Sequence, residues 1–399
     1  MKIKMKILAA ACAGLLAGAV HAQSSVQLSG IIDFGIGYMK AGEHAGWTAA
    51  GDGYSSSAWE LSGSEDLGNG NYATFTLGSF FDVATGKLGR MDTDSLFNRS
   101  AIVGLRGDWG ALDMGKAGTP FAGLLYGTSA FGGSSGFNPL FRLLYAGDSN
   151  PLGHNFYDPE IGNVHPIPYD TMWSNSIRYA SPNFGGVVVS GIFSPGDAQD
   201  ASNSYRLGGS IVYADGPLTL GGAVQRLGLS GPITSSYEAE TSPMYENGVR
   251  TGSQLSYLLA AAYDFDVVKV YGQYARIENK ALGEKQRASG YAFGVTVPVG
   301  GDELNIGYGR YKQDAGIVPP DATPGNGSCY AYCGGGQGGV RYIGVPEGSR
   351  QSFAVAYLHP LSKRTELYAA YRYEKWAPDS PGFKRLATHY VTAGMRHSF

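Results

Sequence analysis

Along most of this chain apolar and polar residues alternate one by one in stretches of about ten, the period of a β-strand whose two faces meet different surroundings. The last stretch shows it most plainly. Val391, Ala393, Met395, His397 and Phe399 fall on one face, and Tyr390, Thr392, Gly394, Arg396 and Ser398 on the other. Just upstream, Leu367, Ala369, Tyr371 and Tyr373 alternate with Glu366, Tyr368, Ala370, Arg372 and Glu374, so the ionisable groups share a face. Short turns of Gly, Asn, Asp and Pro, such as Asp66 to Gly70 and Asp215 to Pro217, join the strands in pairs, and long loops separate the pairs. Seven pairs are expected: 57–66 with 71–80, 98–107 with 111–116, 174–181 with 184–193, 204–214 with 218–228, 253–264 with 267–277, 288–299 with 303–312, and 350–358 with 365–375. A first strand at 26–38 and a last at 388–399 bring the number to sixteen.

Between residues 117 and 173 the alternation stops. A loop of more than about 15 residues inside a compact fold is either functional or unstructured. This one carries Phe121, Leu124, Leu125, Tyr126, Phe131, Phe137 and Phe141 among glycines and prolines, which predicts a folded, plug-like segment held against the strands. Its acids, Asp148, Asp158, Glu160 and Asp170, are scattered.

The chain opens with three lysines among Met1 to Lys6, runs apolar from Ile7 to Val20 and reaches Val20-His21-Ala22, the pattern of a removed secretory leader over residues 1–22. Residues 23–399 then form one domain, with the 117–173 loop inside it. No later stretch has the length of a membrane-spanning helix. Charged residues make up only 16% of the chain, against about 25% for a soluble domain, while Gly (61) and Tyr (27) abound. Removal of the three leader lysines takes the net charge from −3 to −6, which argues against a nucleic-acid partner. Short turns alternating with long loops over an even number of strands predict an all-β protein, a sixteen-stranded antiparallel transmembrane β-barrel whose long loops face outside.

The chain resembles the general porins of the Gram-negative outer membrane, in their betaproteobacterial branch. The resemblance rests on Ser25-Val26-Gln27-Leu28-Ser29-Gly30-Ile31-Ile32-Asp33, Gly63 to Gly70, Leu96 to Gly110, Thr119-Pro120-Phe121, Asn175 to Pro182 and the terminal His397-Ser398-Phe399, in that order along the chain. It implies a homotrimer in the bacterial outer membrane, a third external loop folded into the lumen, and a passive diffusion channel for small hydrophilic solutes and ions. It also implies wall charges at Asp33, Arg99 and Arg178, facing acids of the loop, among them Asp148, Asp158 and Glu160. Outer-membrane lipid and lipopolysaccharide are the expected surroundings, and no cofactor is expected.

Two further readings compete with the general channel. Loop aromatics interleaved with glycine would suit a solute-specific pore with a stacking track. Gly132-Gly133-Ser134-Ser135-Gly136 fits the nucleophile-elbow spacing of hydrolases, but it lies in an all-β chain where the strand-to-helix context of that motif is missing. Cys329 and Cys333, in an exported chain with no other Cys or His nearby, read as a small loop disulfide rather than a metal site. The second strand departs from the family. Where relatives usually read S-R-x-G-x-K/R-G, this chain has Ser57-Ala58-Trp59-Glu60-Leu61-Ser62-Gly63, which removes two basic groups from the inner wall and adds Glu60. That change predicts a pore leaning toward cations.

Overall fold

A computed structural model describes residues 25–42, 44–51, 53–89, 95–145, 171–195, 205–232, 245–246, 249–281, 284–314, 347–379 and 385–399. Leader residues 1–22, the loop acids Asp148, Asp158 and Glu160, and Cys329 and Cys333 lie outside them. The wall runs β1 (Ser25–Ala41), β2 in two pieces (His44–Ala50 and Ala58–Gly68), β3 (Asn71–Phe80), β4 (Ser100–Gly107), β5 (Gly110–Gly118), β6 (Met172–Ala180), β7 (Val187–Ser194) and β8 (Arg206–Asp215). It continues with β9 (Leu218–Pro232), β10 (Val249–Asp264), β11 (Lys269–Ala281), β12 (Glu284–Val299), β13 (Asp302–Gln313), β14 (Gly348–Pro360), β15 (Thr365–Pro378) and β16 (Leu386–Ser398). A two-residue strand, Tyr245–Glu246, adds to the start of β10. Each strand pairs antiparallel with the next, and β16 returns to β1 with Ile31 opposite Ser398 and Ala41 opposite Thr388. The barrel is closed, which leaves no sheet edge to aggregate.

Alternation decides the faces. Val391 and Met395 are half exposed (50% and 51%), whereas Tyr390 and Thr392 between and beside them are buried. The same rhythm puts Leu367 outside and Tyr368, Ala370 and Arg372 inside, as the sequence pattern requires. An apolar outward face suits lipid, and a polar inward face suits water. Short turns use the backbone geometry their residues permit: Asn69 and Gly70 both take positive φ, and Asp66 Oδ1 accepts the Gly68 N–H at 2.7 Å.

The strands outrun the sequence pattern mainly at their long-loop ends. β9 and β11 end, and β10 and β12 begin, about four residues beyond the alternating stretch. At the start of β12 the extra residues, Glu284-Lys285-Gln286-Arg287, are all polar. Backbone pairing continues there although the apolar period is lost. The first piece of β2, which folds back on the upper half of β1 with Ala41 opposite His44, lies outside the strands expected from the sequence.

Candidate functional site

The described part of the long third loop, residues 119–145, folds into two short helices, α1 (Pro120–Gly127) and α2 (Pro139–Tyr145). Thr119 caps α1, its hydroxyl accepting the Ala122 N–H at 3.1 Å, and Asn138 Oδ1 accepts the Phe141 N–H at 3.2 Å at the start of α2. Both caps are followed by proline, which presets the first helical φ. These Thr-Pro and Asn-Pro pairs were the sequence signal for two helices that periodicity alone does not reveal.

Both helices lie against inward faces of the wall. Phe121, Leu124, Leu125, Leu140, Phe141, Leu143 and Leu144 bury themselves on Ala223, Leu258, Ala260, Ala275, Ile277, Ala288 and Ala292. Phe131 and Phe137 pack with Tyr54, Ala354, Ala356, Tyr368 and Tyr390. Small wall residues make room. A Cβ on Gly307 would stand 2.7 Å from the Phe131 ring and 2.9 Å from Pro139, and one on Gly221 would stand 2.4 Å from Leu124. Each buried Leu or Phe contributes about 1.5–3 kcal/mol, so the docking is dominated by apolar burial. Polar ties fix its register. Gln273 of β11 donates to the Leu125 carbonyl at 2.8 Å and to Thr128 Oγ1 at 2.9 Å, satisfying the C-terminal end of α1. Arg142 of α2 grips Glu374 of β15 with Nε at 3.0 Å and Nη2 at 3.2 Å. Arg372 donates to the Gly136 carbonyl and lies over the rings of Phe137 and Tyr390.

A second inward fold meets the loop. Residues 53–57, before the second piece of β2, fold inward against Asp33. The Asp33 carboxylate accepts the Ser55 N–H at 2.8 Å, the Tyr54 N–H at 3.3 Å and the Tyr368 hydroxyl at 2.7 Å. The phenol of Tyr368 reaches it through a gap left by glycines: a Cβ on Gly53 would fall 2.0 Å from that oxygen, and one on Gly394 2.4 Å. Tyr54 in turn stacks on Phe137 with centroids 5.5 Å apart, and the Ser134 hydroxyl donates to the Tyr54 carbonyl at 2.5 Å.

The four described residues singled out from the sequence therefore fall in three separate places. Asp33 points inward but is fully covered, 0% exposed, so it is an anchor and not an open wall charge. Glu60 and Arg99 come together instead. The Arg99 Nη1 lies 2.6 Å from Glu60 Oε2, with side chains 35% and 29% exposed. Arg99 precedes β4 and is aimed by its N–H to the Gly78 carbonyl, while Asn98 accepts the Phe80 N–H at 2.8 Å. Glu60 is thus answered, and the unmatched negative charge expected of the second strand does not exist. Arg178 lies on the inward face of β6, where its Nε donates to Asp113 Oδ2 at 3.0 Å and its Nη1 to the Gly118 carbonyl at 3.2 Å. Arg106 Nη2 closes on the other oxygen of Asp113 at 2.7 Å. This Arg–Asp–Arg group sits near the short-turn ends of β4, β5 and β6. Asp113 and Arg106 escape a reading by single strands, because only the β4–β5–β6 register sets them beside Arg178. Arg396 pairs with Glu366 at 2.5 Å and donates to Ser55 Oγ at 2.8 Å.

The aromatics of the described loop residues are spent on packing: Phe121, Phe131, Phe137 and Phe141 are all buried. Ser134, the central residue of the elbow-like motif, is buried too and accepts the Phe137 N–H at 3.1 Å, a turn-forming role. Among the described residues no cluster of His, Cys, Asp and Glu is arranged to hold a metal.

A closed sixteen-stranded barrel with an apolar exterior, a polar interior and a loop docked inside defines an outer-membrane channel. The chain belongs to the Gram-negative porin family, whose model matches residues 8–375. It is 28% identical to an outer membrane porin protein of Bordetella pertussis, over 100% of both chains, and 28% identical to outer membrane porin protein 32 of Delftia acidovorans, over 88% of this chain and 84% of that one. Its fold is similar to that of an anion-selective porin from Comamonas acidovorans, with a TM-score of 0.67 and 23% identity over 94% of this chain and 100% of that chain. The protein is a passive diffusion channel of the bacterial outer membrane, and fold and family point to a channel rather than an enzyme.

Proposed function

We propose that small hydrophilic solutes pass between the docked third loop and the wall formed by β15, β16 and β2 to β6, and that this path favours anions. The observation that carries the reading is the balance of partly exposed inward charges. Arg99, Arg106, Arg178 and Arg396 are answered by Glu60, Asp113 and Glu366, and Asp113 is itself covered by two of the arginines. Behind the loop, Arg142 and Arg372 share Glu374. Charge on the wall of a narrow aqueous path selects ions at close range. The Comamonas protein of similar fold is itself described as anion-selective. The reading thus reverses the lean toward cations that Glu60 alone suggests.

The test is a reversal potential in a potassium chloride gradient across a planar bilayer. Chloride preference at low salt is expected, and a potential of the potassium-preferring sign overturns the proposal. The working unit is a homotrimer, as for the Vibrio cholerae protein of similar fold that is described in a trimer form.

A further inference from the structure

At the long-loop ends of β13, β14 and β15, three inward side chains form one row: Tyr311 faces Arg350, and Arg350 faces Trp376. The helix α2 docks over this part of the wall, with Leu143 in the apolar cluster that includes Tyr311 and with Arg142 on Glu374. Tyr311 and Trp376 are 1% and 3% exposed, and the Arg350 guanidinium lies over the Trp376 ring, 5.5 Å from its centroid. Yet Tyr311 Oη, Arg350 Nε and Trp376 Nε1, all shut off from solvent, have no hydrogen-bond partner among the described residues. The next inward residue of β14 adds a fourth such atom. Ser352, 0% exposed, stands opposite Gly309 on one side and Glu374 on the other, and its hydroxyl is also unmet.

Buried polar atoms are almost always paired, so four unmet ones within two strand spacings of about 4.8 Å each call for a further partner. Their chemistry defines it. The guanidinium Nε–H and the indole N–H only donate, and both hydroxyls can donate, so the partner is an acceptor. Charge points the same way. Glu374 is held by Arg142 at 3.0 Å and touched by Arg372 at 3.5 Å, whereas Arg350 has no ion-pair partner among the described residues. A water molecule would bring two protons of its own and no charge. An anion with several oxygens meets all four donors and answers the guanidinium as well.

We propose that a doubly charged oxyanion, sulfate or hydrogen phosphate, is bound by Arg350, Tyr311, Trp376 and Ser352 at the seam between α2 and the β13–β15 wall, and that it helps to hold the third loop in place. The inference rests on these unmet donors and not on which ions the solute path favours.

The test titrates the full purified protein, folded in mild detergent and dilute chloride buffer, with sodium sulfate, sodium phosphate or sodium nitrate, followed by calorimetry. Sulfate or phosphate should bind at least about tenfold more tightly than nitrate, which carries a single charge. Arg350→Gln, which removes no ion pair among the described residues, should lose about tenfold or more in affinity for the oxyanion, and Tyr311→Phe about threefold or more. Arg99→Gln, which strips a charge from the solute path, should keep the parent affinity. Sulfate also stabilises folded proteins generally by exclusion from their surface, so stability is compared between variants at each sulfate concentration. Tyr311→Phe should match the parent in denaturant midpoint without sulfate or phosphate and fall below it at saturating sulfate, because its hydroxyl has a partner only when the ion is bound. Should Arg350→Gln fail to reach the heat-resistant folded form, Tyr311→Phe carries the comparison alone. Absence of binding by both doubly charged ions, nitrate binding as tight as theirs, an equal loss in Arg99→Gln, or a Tyr311→Phe midpoint lowered equally with and without sulfate would overturn the proposal.

Discussion

Substituting Glu60 by Gln tests whether this carboxylate acts by itself or only against Arg99. In the parent protein the two groups are 2.6 Å apart, so an ion passing several ångströms away sees nearly cancelling charges. Glu60→Gln leaves Arg99 unanswered. One unit charge about 8 Å from the ion is worth about 0.5 kcal/mol in bulk water and about 2 kcal/mol at an effective dielectric constant of 20. A Debye length of about 8 Å at physiological ionic strength cuts the smaller figure to about 0.2 kcal/mol. Because the same charge attracts chloride and repels potassium, the effect on their ratio is twice that. Taking the aqueous limit, the chloride-to-potassium permeability ratio should rise about twofold at physiological salt and about fivefold at low salt. Arg99→Gln should lower it by a similar factor, and the double variant should return close to the parent. The assay is the reversal potential of single channels in matched gradients at two ionic strengths. A Glu60→Gln ratio that stays at the parent value at low salt, or a double variant as far displaced as either single one, would refute the pairing argument.

Arg142→Ala removes one partner of a buried ion pair and should cost about 3–5 kcal/mol in loop docking, less what Arg372 retains through its own contact with Glu374; single-channel traces should show added flicker, and quiet traces would count against the latch. Tyr368→Phe takes a hydrogen bond from the covered Asp33 carboxylate and should lower stability by about 1–3 kcal/mol, read as an earlier denaturant midpoint for loss of the heat-resistant form, with an unchanged midpoint as the contrary result. Gly307→Val places a branched side chain where the Phe131 ring and Pro139 already sit, and should displace the loop; a parent-like conductance together with parent-like protease resistance of the loop would contradict the packing described. Native mass measurement in mild detergent should give three chains per particle, and one chain in every detergent tried would remove the trimer.

The sequence by itself determined the barrel. A period of two with an apolar face, short turns with Asp, Asn and Gly, and long loops between strand pairs leave a closed transmembrane sheet as the structure that satisfies both faces and every backbone group. It also marked the third loop as a folded body, because Phe121, Leu124, Phe137 and their neighbours are too apolar to remain in water. Only the tertiary structure decided where charge resides. Alternation names the face of a residue but not its partner across strands, and Arg99, Arg178 and Arg142, which pair with Glu60, Asp113 and Glu374, lie 39, 65 and 232 residues away from them. Asp33 illustrates the limit: its inward direction follows from its strand, while its burial depends on residues 53–57 folding against it and on Tyr368 reaching it from the far end of the chain. Both are long-range contacts, set by closure of the sheet, and no local pattern of residues encodes them.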